Sequence, residues 1–280
     1  LSPDGRTLAS GDSGGTIRLW DLPRTILVGA GADHTNYVAF SLGGHMLASG
    51  DQDGAIRLWD LTDPAHPRLL SQPLPPSTDI LDSLAITRDG HTLASSDDSG
   101  TFRLWDLTGP AHPRLLSQPL TGNARNSYSG NLVAVSPDGH TLATSTAKDG
   151  AIRLWDLTDP AHPRLLSQPL TGSTYGVSSM VFSPDGHTLA SSDGDTIRLW
   201  DITNPASPRP LGQTPPGGDT GLLAFSPDGH TLADGGYDGT VQLWNITDRA
   251  HAHSRWSAAM CSTGFSVPGC TPGRCRPAGG

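Results

Sequence analysis

Six times along its 280 residues the chain spells Leu-Trp-Asp or, at the last copy, Leu-Trp-Asn. The tryptophans are Trp20, Trp59, Trp105, Trp155, Trp200 and Trp244, separated by 39, 46, 50, 45 and 44 residues. A unit of that length holds four short strands but cannot bury a core of its own, so each copy must be sealed by its neighbours. Residues 54–74 and 150–170 are identical and residues 101–120 are nearly the same, which points to duplication within the chain.

One copy shows how the unit is built. Tyr37-Val-Ala-Phe-Ser reads as an innermost strand, Leu42-Gly-Gly-His as a turn and Met46-Leu-Ala-Ser as a second strand. Gly50-Asp-Gln-Asp-Gly follows, and Asp-Gly suits the positive φ of a hairpin turn. Ala55-Ile-Arg-Leu-Trp-Asp is the third strand, Thr62–Pro67 a proline-rich loop and Arg68-Leu-Leu a short outer strand. Four copies use Ser-Pro-Asp-Gly for the inner turn, at 2–5, 136–139, 183–186 and 226–229, with Pro and Gly where a β-turn favours them. Strand alternation sends Ile56 and Leu58 to one face, Arg57 and Trp59 to the other. The arginines at 57, 103, 153 and 198 are expected to lay their stems on apolar surface and to pair rather than bind a ligand.

This set of strands and turns resembles the WD-repeat β-propeller family over about residues 1–245, leaving 246–280 as an irregular tail containing Gly, Pro and Cys. The resemblance implies an all-β fold of four-stranded antiparallel blades. Six repeats are recognisable. The first is truncated, because the sequence enters it at the Leu1-Ser-Pro-Asp-Gly turn, and the sixth has no obvious outer strand after Asn245. A six-bladed ring, an open arc and part of a seven-bladed ring all remain open. An arc would leave blade edges free for association. The family's hydrogen-bonded tetrad maps completely onto one repeat, as His34, Ser49, Asp53 and Trp59. Elsewhere the His slot holds Ser77, Asn123 or Ser173, and the turn acid falls at Asp149, Asp193 or Asp238.

The chemistry of the chain narrows the function classes. Net charge is −9, with Lys148 the sole lysine, which argues against nucleic acid or an anionic membrane as main partner. No apolar run approaches the roughly 18 residues of a membrane span. The three cysteines, Cys261, Cys270 and Cys275, all lie in the tail, so no disulfide supports the repeats, as expected in a reducing cytoplasm. With His251 and His253 they match no tight zinc-ligand spacing. Apart from His34, the other histidines recur at turns and in the Pro-Ala-His-Pro loops. No phosphate-binding Gly-rich loop or nucleophile elbow is present. No catalytic residue, cofactor or metal site is therefore assigned.

The expected function is a non-catalytic scaffold for a protein or peptide partner. Sequence diversity concentrates in 75–82, 121–131, 171–179 and 212–220, which family geometry places on one face with the Asp-Gly turns. Loops on a rigid scaffold carry binding, and Tyr and Arg are frequent anchors. The residues assigned to that surface are Asn36, Tyr37, Gln52, Arg125, Asn126, Tyr128, Lys148, Tyr175 and Tyr237. The Thr-Asp-Pro-Ala-His-Pro-Arg linkers resemble those of WD-repeat regions attached to larger bacterial signalling proteins, which suggests a C-terminal sensor or regulatory part. The alternative is a propeller enzyme, or a binder of a small ligand or metal, that uses the central channel.

Overall fold

The computed structural model describes residues 7–11, 16–21, 24–30, 35–41, 44–51, 54–63, 66–70, 74, 80–117, 119–121, 131–146, 149–172, 176–214, 220–236, 240–247, 253–259, 270–271 and 274–275. Every regular element among them is a strand. The chain divides into two compact units, Leu1–Gly172 and Ser173–Gly280.

The first unit opens with a three-stranded antiparallel sheet, β1 (Thr7–Gly11), β2 (Thr16–Asp21) and β3 (Arg24–Ala30). Blade 1 follows as β4 (Thr35–Phe40), β5 (Met46–Asp51), β6 (Ile56–Asp60) and β7 (Arg68–Leu69). Blade 2 is β8 (Leu81–Ile86), β9 (Thr92–Asp97), β10 (Thr101–Asp106) and β11 (Arg114–Leu115), with the short β12 (Leu120–Thr121) also paired to β10. Blade 3 is β13 (Leu132–Val135), β14 (Thr141–Ser145), β15 (Ile152–Asp156) and β16 (Arg164–Leu165).

In the second unit, blade 4 is β17 (Ser179–Phe182), β18 (Thr188–Ser192), β19 (Ile197–Asp201) and β20 (Arg209–Gln213). Blade 5 is β21 (Leu222–Phe225), β22 (Thr231–Gly235), β23 (Thr240–Asn245) and β24 (His253–Ala259). A hairpin, β25 (Cys270–Thr271) and β26 (Arg274–Cys275), comes last.

The architecture is thus the propeller type, but the blade count differs from expectation. Among the described residues five blades of four sequential strands form, not six or seven, and one of them carries the extra strand β12. Among the described residues the first repeat contributes the three strands β1, β2 and β3. The sixth repeat does have an outer strand: β24 pairs with β23 from Thr240↔Ala259 to Asn245↔His253, with a register shift between Leu243 and Trp244. Its sequence, His-Ser-Arg-Trp-Ser-Ala-Ala, shares nothing with the Pro-Arg-Leu-Leu that marks the outer strands of blades 1–3, so repeat matching passes over it.

Burial explains why the second strand of each repeat is so apolar and small. β9, β14 and β18 are buried at every residue. Between the blades, the Ile-Leu face of one sheet meets the Trp face of the next. Ile56 and Leu58 of blade 1 pack with Leu93, Trp105 and Leu107 of blade 2. Phe102 and Leu104 of blade 2 pack with Leu142 and Leu157 of blade 3, and Trp155 joins them. In the second unit Ile197 and Leu199 meet Leu232, Trp244 and Ile246. Each fully buried Leu contributes about 1.5–3 kcal/mol, and most of that gain exists only when the adjacent blade is in place.

Polar residues bend the chain at one end of each blade. In the inner turns Thr87, Ser136, Ser183 and Ser226 donate to Asp89, Asp138, Asp185 and Asp228, whose carboxylates also accept the amide two residues on. The glycine after each acid has φ between 71° and 78°, as a left-handed turn residue requires. At the same end the acid of Leu-Trp-Asp ends the third strand. Asp60 accepts the amide and hydroxyl of Thr62, and Asp106, Asp156 and Asp201 do the same with Thr108, Thr158 and Thr203. These Asx turns start the loop to the outer strand.

Candidate functional site

At the opposite end of the blades the second strand turns into the third, and an Asp–Arg latch holds the turn. Asp51 pairs with Arg57 and Asp97 with Arg103, while Asp193 pairs with Arg198. Each acid also accepts a turn amide: Ala55 to Asp51 at 2.9 Å, Thr101 to Asp97 at 3.0 Å and Thr196 to Asp193 at 2.8 Å. Blade 3 carries Thr146 at the corresponding strand end, and Asp149 takes over, accepting from Arg153 at 2.6 Å and from the Thr146 hydroxyl at 2.6 Å. Burial works to raise Asp149, but Arg153 and Thr146 outweigh it and hold its carboxyl below the usual range. The arginines are thus committed to structure. Asp51 and Asp97 went unrecognised in the sequence because a second acid, Asp53 or Asp98, stands beside each in the same turn.

Deeper in the blades the indoles are tied to the second strand. Trp59 donates to Ser49 at 2.9 Å, Trp105 to Ser95 at 3.0 Å, Trp155 to Thr144 at 3.0 Å and Trp200 to Ser191 at 3.3 Å. In blade 5 Asp234 stands at the hydroxyl's position. Its carboxylate accepts the Gly221 amide at 3.0 Å, and among the described residues the buried Trp244 Nε1 has no acceptor. His34 and Asp53, assigned to the tetrad with Ser49 and Trp59, lie outside the described residues. So do Ser77, Asn123, Ser173 and Asp238.

The latch end also holds a polar cluster built from three consecutive blades. Asp82, at the start of β8, accepts both the amide and the side-chain Nδ2 of Asn131, each at 2.8 Å. Asn131 precedes β13 and donates a second Nδ2 hydrogen to the Asp97 carbonyl at 2.9 Å. Ser96 adds a bond to the Asn131 carbonyl at 2.5 Å. Burial pushes the Asp82 carboxyl up; Asn131 offsets part of this, while the charges of Asp98 and Asp97 add to it. Tyr37, half-buried in blade 1, is pushed up by burial and by the charge of Asp82. A similar stitch in the second unit runs from Ser179 to the Leu223 amide at 3.0 Å and from Ser192 to the Gly221 carbonyl at 2.8 Å.

Of the residues assigned to a partner surface, Tyr37 joins this cluster. Asn36 lies beside it in β4. Gln52, Arg125, Asn126, Tyr128, Lys148, Tyr175 and Tyr237 lie outside the described residues. Sequence reading missed Asp82 and Asn131, whose meeting spans 49 residues and leaves no local signature.

At the turn end of blades 2 and 3 a cleft of about 380 Å³ is lined by Asp89, His91, Asp106, Asp138, His140 and Asp159, among others. Burial works to raise Asp89 and Asp138, but the Thr87 and Ser136 hydroxyls and the following histidine amides more than offset it, and both carboxyls sit below the usual range. Asp106 is held down by Thr108, and Asp159 by His162. Carboxylates lowered in this way stay ionised at neutral pH. They suit electrostatic recognition better than general acid catalysis, which wants a raised carboxyl. Among the described residues no group of three or more His, Cys, Asp or Glu is arranged to hold a metal ion, and no helix is long and apolar enough to cross a membrane.

Comparison with known proteins agrees with this geometry. A family model described as WD domain, G-beta repeat matches residues 1–21, 24–60, 72–106, 126–156, 164–201 and 222–245. No curated protein matches the chain.

Proposed function

Because the chain belongs to the WD-repeat family, whose propellers generally serve as protein-interaction scaffolds, we propose that it presents the latch end of its blades to a protein or peptide partner, without catalysis of its own. The observation that carries this reading is the clasp between Asp82 and Asn131 of neighbouring blades, with Tyr37 of a third packed at the adjoining seam. Asp82 and Asn131 are the last residues of two of the divergent segments, 75–82 and 121–131. Variable sequence is thereby rooted in a rigid, hydrogen-bonded base, which lowers the ordering cost of binding. A tyrosine beside an acidic side chain suits a partner with apolar and basic side chains. The repeated acids and arginines are spent on turns and latches, which speaks for a scaffold over an enzyme. In its narrower form the proposal makes the chain the C-terminal sensor or regulatory region of a larger bacterial signalling protein in the cytoplasm, as the style of its linkers suggests.

The test is crosslinked partner capture from cells expressing the intact gene. The double variant Tyr128→Ala, Tyr175→Ala should capture less of the partner taken by the parent while its circular dichroism stays the same. Equal capture by both would remove this face from the account.

A further inference from the structure

The hairpin after blade 5 pairs two of the chain's three cysteines in backbone register: Cys270 lies opposite Cys275, and Thr271 opposite Arg274. Directly paired residues of an antiparallel ladder have Cα atoms about 4.5–5.5 Å apart. That separation falls within the roughly 4.4–6.8 Å that a disulfide spans. Between the strands the sequence places Pro272 and Gly273, a pair that favours reversal of the chain. Cys275 is flanked in sequence by Arg274 and Arg276, and cationic neighbours favour the thiolate, which is the reactive form. The blades contain no cysteine, so the pair competes only with Cys261.

We propose that Cys270 and Cys275 are a disulfide-forming pair, a thiol modification site whose oxidant is a low-molecular-weight disulfide such as oxidised glutathione. The Cys275 thiolate attacks one sulfur of that disulfide, forms a mixed disulfide and releases one glutathione thiolate. The Cys270 thiolate then attacks the Cys275 sulfur of the mixed disulfide and releases the second glutathione. Two protein thiols are oxidised and one glutathione disulfide is reduced. The two protons lost by the cysteines end on the two glutathione thiols. The ring that closes holds the hairpin ends together and leaves Cys261 as the free thiol.

The experiment uses the full chain and its Cys261→Ser variant, each exposed to oxidised glutathione, quenched by alkylation and measured by intact mass. The variant should lose both alkylatable thiols, gain no glutathione and weigh less than the reduced form by two hydrogens. Trypsin under denaturing, non-reducing conditions should then cut after Arg274 and leave two peptides that separate only on reduction. In the parent chain the same linked peptides should appear, with Cys261 alkylated. The closure should also need less oxidised glutathione in the native chain than in denaturant. Retained glutathione on either cysteine, two alkylatable thiols, a bond through Cys261 in the parent, or equal closure in denaturant would each overturn the proposal.

Discussion

Replacing Trp200 and Trp244 separately with phenylalanine isolates what the indole N–H contributes to a blade. Both side chains are 8% exposed and both lie in the second unit, so each substitution deletes the same atoms from an equally buried place. The transfer and cavity terms then largely cancel in the difference. What remains is the hydrogen bond. Trp200→Phe removes the bond to Ser191 and leaves a hydroxyl in a residue 4% exposed without its donor. Trp244→Phe removes a buried N–H that has no acceptor among the described residues, which relieves a penalty. An unsatisfied buried donor or acceptor costs about 1–3 kcal/mol, so Trp200→Phe should destabilise by about that much more than Trp244→Phe. Urea titrations followed by circular dichroism give the comparison, provided the slope m is the same for both variants. Equal losses, or a larger loss at Trp244, would refute the claim that indole–hydroxyl bonds distinguish the blades.

Three other outcomes are expected. Gly50 sits at the seam of blades 1 and 2, where an added Cβ would lie 2.0 Å from Leu81 Cδ2 and 3.2 Å from Leu84 Cδ1. Leu81 is itself buried in the seam, so Gly50→Ala should cost about 1–3 kcal/mol in urea unfolding. Gly109→Ala, with nothing within 4 Å of the new Cβ, should be neutral or stabilise by up to about 1 kcal/mol. Asp82 has a folded pKa raised above 3.8, so the folded state binds its proton more tightly; its contribution to stability grows as pH falls through that raised value towards the unfolded one. Asp82→Asn should therefore flatten the pH dependence of unfolding in that window, and an unchanged profile against the parent would count against the buried clasp with Asn131.

Local chemistry wrote most of the fold into the sequence. The inner, second and third strands of blade 1 begin and end within a few residues of where alternation and Asp-Gly turns put them, because turn residues and strand period act over short distances. The readings that needed more came from three physical sources. Asp51 and Asp97 were indistinguishable from neighbouring acids until the strand ends fixed which carboxylate faces its arginine. β24 lacked the repeat's own residues, and its pairing rests on backbone hydrogen bonds that almost any sequence can make. The Asp82–Asn131 clasp is a contact between blades, and periodicity within a blade carries no information about it. The divergent segments were therefore legible in the sequence, while the Asp82–Asn131 clasp at the ends of two of them was not.

The account rests on blades whose second strands are buried against the adjoining sheets of the same unit. Native-state hydrogen exchange tests this most directly. The amides of β5, β9, β14, β18 and β22 should be the slowest to exchange in every blade, well behind those of the two-residue outer strands β7, β11 and β16. Second strands that exchange as fast as the outer ones would contradict it.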